Sequence, residues 1–205
     1  MSDKMVAVLD DKAKRALDAA AWIASNNING RIELVRCGDE LQVTGTDAYV
    51  LVCSLVDCNL ESWPDGEGVT FFNHNNAAAT IGRLLKSVSK HMVKAVVLTV
   101  ENDEYDAPVL QIEATDVSGF GTKVNLDLVK TRRLDLAKLN NMDECQPEGH
   151  VSVSGTMLET IGKLVKKASW YNATWTCHDR GPLHLFDIRR TDGKAYIMAM
   201  PVRAE

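Results

Sequence analysis

Apolar and polar positions change period several times along the chain, and each change marks a boundary between elements. Over roughly Asp10–Ser25 apolar residues recur at helical spacing. Alternation with a period of two then takes over near Arg31–Cys37, Glu40–Gly45 and Tyr49–Asp57. A short strand is expected at Gly68–Phe72, followed by a helix to about Lys90 that Asn73, Asn75 or Asn76 can cap. Further strands are predicted near Ala95–Glu101, Val109–Ala114 and Gly121–Leu128. In the second of these, Leu110, Ile112 and Ala114 point one way and Gln111 and Glu113 the other. A last set opens with a strand at Gly149–Val153. A helix capped by Ser154 runs to about Ala168, and strands follow at Ala173–His178, Leu183–Arg189 and Ala195–Val202.

The same words recur in the same order. Leu41-Gln42-Val43-Thr44-Gly45-Thr46-Asp47 parallels Leu110-Gln111-Ile112-Glu113-Ala114-Thr115-Asp116, with a weaker third copy from Leu183 to Thr191-Asp192. Thr80-Ile81-Gly82-Arg83-Leu84-Leu85-Lys86 parallels Thr160-Ile161-Gly162-Lys163-Leu164-Val165-Lys166. The expectation is an α+β fold of three βαβββ units, with antiparallel sheets outside and basic helices on one face. Residues 1–130 would hold two units and 149–205 the third. The polar stretch 131–148 reads as a linker with room for a short strand or a turn of helix. Thr191-Asp192-Gly193 is a hairpin signal, and the recurrence of Asp47, Asp116 and Asp192 between strands favours a structural role over a catalytic one.

Charge changes the picture more than composition does. The 205 residues are 45% hydrophobic and carry a formal net charge of −5, which argues against a uniformly basic nucleic-acid binder. The charge is segregated, however. In the second helix Ile81, Leu84, Leu85, Val88 and Met92 form one stripe and Arg83, Lys86, Lys90 and Lys94 another, about 170° apart at ~100° per residue. The third helix sets Met157, Leu158, Ile161, Leu164 and Val165 against Lys163, Lys166 and Lys167, with Glu159 its only acid. In the first helix Lys12, Lys14 and Arg15 are matched by Asp10, Asp11 and Asp18. A basic stripe can be a solvated face and no more. Repeated on helices of an acidic chain, it suits sequence-independent contact with a polyanion.

Enzyme signatures are missing. No nucleotide-binding glycine loop or nucleophile elbow occurs, and no cofactor is expected. Five cysteines without a CxxC, in a chain with no export signal or apolar span, read as reduced thiols of a cytoplasmic protein without membrane contact. Cys177, His178 and His184 are the one cluster resembling a metal site, and neighbours on a strand point to opposite faces. His91 sits beside the basic stripe. Trp63, Trp170, Tyr171 and Trp175 could stack on bases, though core anchors are the commoner use.

These features resemble the DNA sliding clamps, in which βαβββ units form a ring with basic helices lining the hole. Leu41 to Val50 resembles the strand that ends in Ala-Thr-Asp-Gly-His-Arg-Leu in the bacterial type, the beta subunit of the replicative polymerase. Lys194 to Arg203 is similar to that family's closing Tyr-Val-Val-Met-Pro-Met-Arg-Leu. The resemblance implies a non-enzymatic processivity factor that encircles duplex DNA and serves a DNA polymerase and clamp loader. It implies DNA contacts at Arg83, Lys86, Lys90, Lys94, Lys163, Lys166, Lys167, Lys12 and Arg15. It also implies a partner-peptide pocket at Thr46, Ala48, Tyr49, Val50, Met200, Pro201, Val202 and Arg203. Gly-His-Arg is replaced by Ala48-Tyr49-Val50, which removes a charged rim. Family members assemble twelve units as dimers of six or trimers of four. Three units per chain would therefore require a cyclic homotetramer, favoured over a trimer. A short clamp from a phage or mobile element in a bacterial cell would fit. The alternative is a clamp-fold interaction module, such as a modulator of a host clamp, that does not encircle DNA.

Overall fold

The computed structural model describes residues 4–60, 62–87, 93–105, 107–116, 121–129, 133–134, 136, 154–170, 172–180 and 183–199, with backbone alone at 75, 87, 93–94, 116, 175–180 and 183–187. The element order is β1 (Met5–Leu9), α1 (Asp11–Ala24), β2 (Arg31–Cys37), β3 (Glu40–Thr46), β4 (Val50–Asp57) and β5 (Gly68–Phe72). A 3-10 turn at His74–Asn76 leads into α2 (Ala77–Ser87). There follow β6 (Val93–Asn102), β7 (Pro108–Asp116), β8 (Gly121–Asp127), α3 (Gly155–Lys167), β9 (Ala173–Arg180), β10 (Leu183–Arg190) and β11 (Ala195–Ala199). The fold is α+β, as expected.

The strands form two antiparallel sheets. One has the order β1-β6-β7-β8 and the other β5-β2-β3-β4-β11-β10-β9. The first two units exchange their leading strands. β1 pairs with β6, Met5 opposite Val100, and β5 pairs with β2, Phe72 opposite Arg31. Sequence reasoning passed over β1, because Val6-Ala7-Val8-Leu9 is a run with no alternation to find. The third unit joins through β11, which lies along β4 with Ala195 opposite Ser54 and Ala199 opposite Val50.

The helices cover one side of these sheets. Asp10 caps α1 by accepting from the Ala13 amide at 2.7 Å, and Ser154 caps α3 by accepting from the Met157 amide at 3.2 Å. The Asn73 carboxamide accepts from the Ala78 amide at 3.1 Å, past the 3-10 turn. α1 is the central helix, in contact with both α2 and α3. Eight of its fourteen residues are buried: Ala13, Ala16, Leu17, Ala19, Ala20, Ala21, Ile23 and Ala24. Alanine lets it lie close to β3. A Cβ added at Gly45 would stand 2.5 Å from the Ala20 Cα, so glycine is required there.

One expected position moves. Lys94 continues the basic helical spacing, but it lies in strand β6 and not in α2. The reason is local: Val96, Val97, Thr99 and Val100 are β-branched residues that favour a strand. The expected strand Gly149–Val153 and most of 131–148 lie outside the described residues.

Candidate functional site

The repeat seen in the sequence is a repeat of structure. Ile81 and Ile161 are both fully buried, and Leu84 and Leu164 follow them inward. The Thr80 and Thr160 hydroxyls each donate to a carbonyl four residues back, at Asn76 and Thr156. Arg83 and Lys163, and likewise Lys86 and Lys166, occupy equivalent exposed positions. With the apolar stripe turned to the sheets, the basic residues are on the opposite face. Lys12 and Arg15 are exposed on α1 between them.

The lysines differ in what holds them. Lys167 is committed to a bridge between helices: its ammonium lies 2.8 Å from Asp18 on α1, with both side chains largely covered. Lys163 pairs within its own helix with exposed Glu159 at 2.6 Å, which holds that carboxylate below its usual pKa. Lys90 and the Lys94 side chain are outside the described residues. Lys12 and Arg15 also line a cleft of about 300 Å³ closed by Trp170, Arg190 and Asp192 at the seam of units one and three. Trp63 and Trp170 are buried anchors and present no stacking face. The Trp63 indole donates to the Glu67 carbonyl at 3.1 Å.

A second surface forms where β4 meets β11. The β3–β4 turn is organised by Asp47, whose carboxylate accepts from the amides of Tyr49 and Val50 at 2.9 and 2.7 Å. The Ala48 amide donates to the Thr46 hydroxyl at 3.0 Å. Asp192 plays a similar part in the β10–β11 hairpin, accepting from the Lys194 amide at 3.0 Å, and the neighbouring Arg190 guanidinium lowers its pKa. Ala48 adopts φ +81°, a left-handed conformation, and Tyr49 is 63% exposed at the tip. Val50 then pairs with Ala199, the residue before Met200. The topology thus brings the Thr46–Val50 turn to the end of β11, although some 150 residues separate them in sequence. Met200, Pro201, Val202 and Arg203 themselves lie outside the described residues.

Alternation divides β4 and β11 between two environments. Val50, Val52, Val56, Ala195, Ile197 and Ala199 join the main core under the helices. Leu51, Cys53, Tyr196 and Met198 face away from it and form a separate apolar cluster with Leu134 and Leu136. Burial raises the pKa of the Cys53 thiol, so it remains protonated at neutral pH. The two leucines come from the stretch expected to be a linker. Arg133 donates to the Gly66 carbonyl and pairs with Glu67 at 3.3 Å. The Leu134 amide donates to the buried Glu33 carboxylate at 3.0 and 3.2 Å, where Arg31 supplies the compensating charge. Sequence reasoning missed this surface. The stretch also holds Leu139 and Met142, so the sequence did not single out Leu134 and Leu136.

For the cluster that resembles a metal site, the β9–β10 register sets Cys177 opposite Phe186, His178 opposite Leu185 and His184 opposite Asp179, and these side chains are not described. Among the described residues no group of three ligating side chains comes together. No described helix is long and apolar enough to cross a membrane.

No protein-family model and no curated protein matches the chain. Solved structures do. The beta sliding clamp of C. crescentus superposes with a TM-score of 0.62 at 12% identity, covering 100% of this chain and 66% of that one. The DNA polymerase sliding clamp of Pseudomonas aeruginosa gives 0.57 at 13% identity over 98% and 65%. The PCNA2–PCNA3 complex of Sulfolobus tokodaii gives 0.55 at 14% identity over 98% and 100%. The chain is thus similar in fold to both bacterial and archaeal clamps, and it spans just under two thirds of the bacterial ones.

Proposed function

We infer that the chain is a clamp subunit of DNA replication, of the bacterial type in its pocket motifs, that holds duplex DNA on its helix face and replication proteins on its outer surface. One observation carries this reading. The helices that cover one side of the sheets expose Lys12, Arg15, Arg83, Lys86, Lys163 and Lys166, in a chain whose net charge is −5. The acidic surplus lies elsewhere, so attraction is directed to one face. Such residues meet phosphate oxygens and read no bases, which suits a protein that must slide. The role is a scaffold's and calls for no catalytic group. The pocket would combine the Thr46–Val50 turn with Met200–Arg203 and receive short segments of a polymerase or clamp loader. DNA would be encircled by four copies, in the cytoplasm of a bacterial or phage-infected cell.

Retention on DNA tests this directly. Wild-type protein loaded on nicked circular duplex should be retained on the circle and lost when the circle is linearised. The triple variant Arg83→Glu, Lys86→Glu, Lys163→Glu should lose retention on the circle at an unchanged melting temperature. Equal retention by the variant would reduce these side chains to a solvated face.

A second reading has its own support. The edge of β4 is already occupied within the chain by β11. A module whose edge is satisfied in this way can bind replication proteins without closing a ring. That reading expects no difference between circular and linear DNA.

A further inference from the structure

The outer cluster on β4 and β11 has an unusual composition for a surface patch. Tyr196 lies opposite Cys53 and Met198 opposite Leu51, four apolar side chains on two adjacent strands. Among the described residues they are covered by Leu134 and Leu136, from a stretch joined to neither strand. Leu136 is 7% exposed, so the cover is close. The attachment around it is polar and local. Arg133 holds the Gly66 carbonyl and Glu67 on the exposed rim. The Leu134 amide is held by Glu33, and the Leu136 amide folds back to the Leu134 carbonyl at 2.9 Å. Two apolar anchors seated on an apolar surface, a backbone amide given to a fixed acceptor and a basic residue at the rim are features of a short docked peptide, here a folded-back segment in which Leu136 is helical.

We propose that Arg133, Leu134 and Leu136 are a ligand in cis. They occupy the outer groove of β4 and β11 and must leave it before a partner peptide can bind there. This rests on the reading of the β4–β11 surface as a peptide site and adds its regulation. Occupancy in cis lowers the apparent affinity of any competitor by the fraction of time the groove is open. The detached strap leaves the sheets and helices intact, because its leucines lie on the face of β4 and β11 opposite the main core.

The test uses the full chain and a synthetic fluorescent peptide with the sequence of residues 130–140. Wild type should bind it weakly. The variant Leu134→Ala, Leu136→Ala should bind it at least about tenfold more tightly, as expected if the groove is closed some nine tenths of the time. A peptide carrying the same two alanines should not bind. Arg133→Glu, on an exposed pair, loosens the strap without touching the core and should tighten binding at least about twofold by the same relation. Cys53 reports independently, since it lies beneath the strap. Its alkylation, mapped by mass spectrometry, should accelerate in both variants and be suppressed again by added peptide. If neither variant tightens peptide binding, or if Cys53 stays equally protected, the strap is ordinary core and the proposal fails. DNA retention is scored on the same preparations. Lost retention with tightened peptide binding would overturn the clamp reading alone.

Discussion

At the scale of single residues, the β3–β4 turn shows how a departure from a family's pattern acquires a cost. Bacterial clamps carry glycine where this chain has Ala48. The backbone keeps the conformation that glycine would adopt freely, φ +81°. Alanine in this region costs ~1–2 kcal/mol, and glycine returns ~0.4–1 kcal/mol of that by loosening the unfolded chain. Ala48→Gly should therefore stabilise the protein by about 0.5–1 kcal/mol, or raise the melting temperature by ~1–4 °C for a chain of this size. Calorimetry checks it, and a lower melting temperature would show that the Ala48 side chain contributes contacts worth more than the strain. The strain persists because the turn is over-determined. Asp47 accepts two amides, and the Asn27 carboxamide donates to its carbonyl at 3.1 Å. The carboxylate that recurs in every unit is thus a turn-builder where it is described, as its position between strands suggested.

At the scale of elements, the basic stripe is not one kind of residue. Lys166 is exposed, whereas Lys167 bridges α3 to α1 through Asp18. Reversing each charge should separate the roles. Lys166→Glu should weaken DNA binding and lower the slope of log affinity against log salt by about one, at unchanged stability. Lys167→Glu sets two carboxylates against each other at a largely covered seam. It should cost about 1 kcal/mol of stability, discounted for solvent access, with a smaller effect on DNA. Salt titrations and thermal melts on both variants decide it, and identical behaviour would deny the distinction. The seam also explains what the sequence could and could not disclose. Strand and helix positions were legible because their periods differ, and the α2–α3 repeat was legible down to Ile81 and Ile161. The central helix was legible as a helix but not in its position between α2 and α3, which depends on close packing through alanine. Strand β1 was invisible. Its residues Val6 to Leu9 are all apolar, so the sequence shows no alternation, although Ala7 and Leu9 are buried and Val6 and Val8 only partly covered. Of the proposed peptide surface, the β3–β4 turn was legible in the sequence and the terminal motif lies outside the described residues, while the strap's leucines depend on tertiary contact alone.

At the scale of the molecule, pairing of edges decides whether a ring can form. A strand edge is a row of unsatisfied amides and carbonyls that recruits another strand unless something blocks it. Between units one and three that requirement is met within the chain by β4 and β11. Among the described strands, β1, β5, β8 and β9 each pair on one side only, and of these β8 and β9, paired with β7 and β10, are the edges proposed to join copies. They stand at the ends of different sheets, so joining β8 of one copy to β9 of the next is a heterologous contact, the kind that generates a closed ring or an open filament. Twelve units of three per chain would close at four copies. The expected outcome is a particle of four times the chain mass by light scattering, at micromolar concentration or on DNA. β8 supplies the perturbation. Adjacent residues of an edge strand direct their amides alternately inward and outward, so of Thr122→Pro and Lys123→Pro one removes an outward donor and spares the ladder to β7. That variant should remain folded and become monomeric, with retention on circular DNA lost. Its neighbour should lose stability instead. A wild-type monomer that no DNA assembles would leave the helix face and the peptide groove to a protein that binds beside DNA without enclosing it.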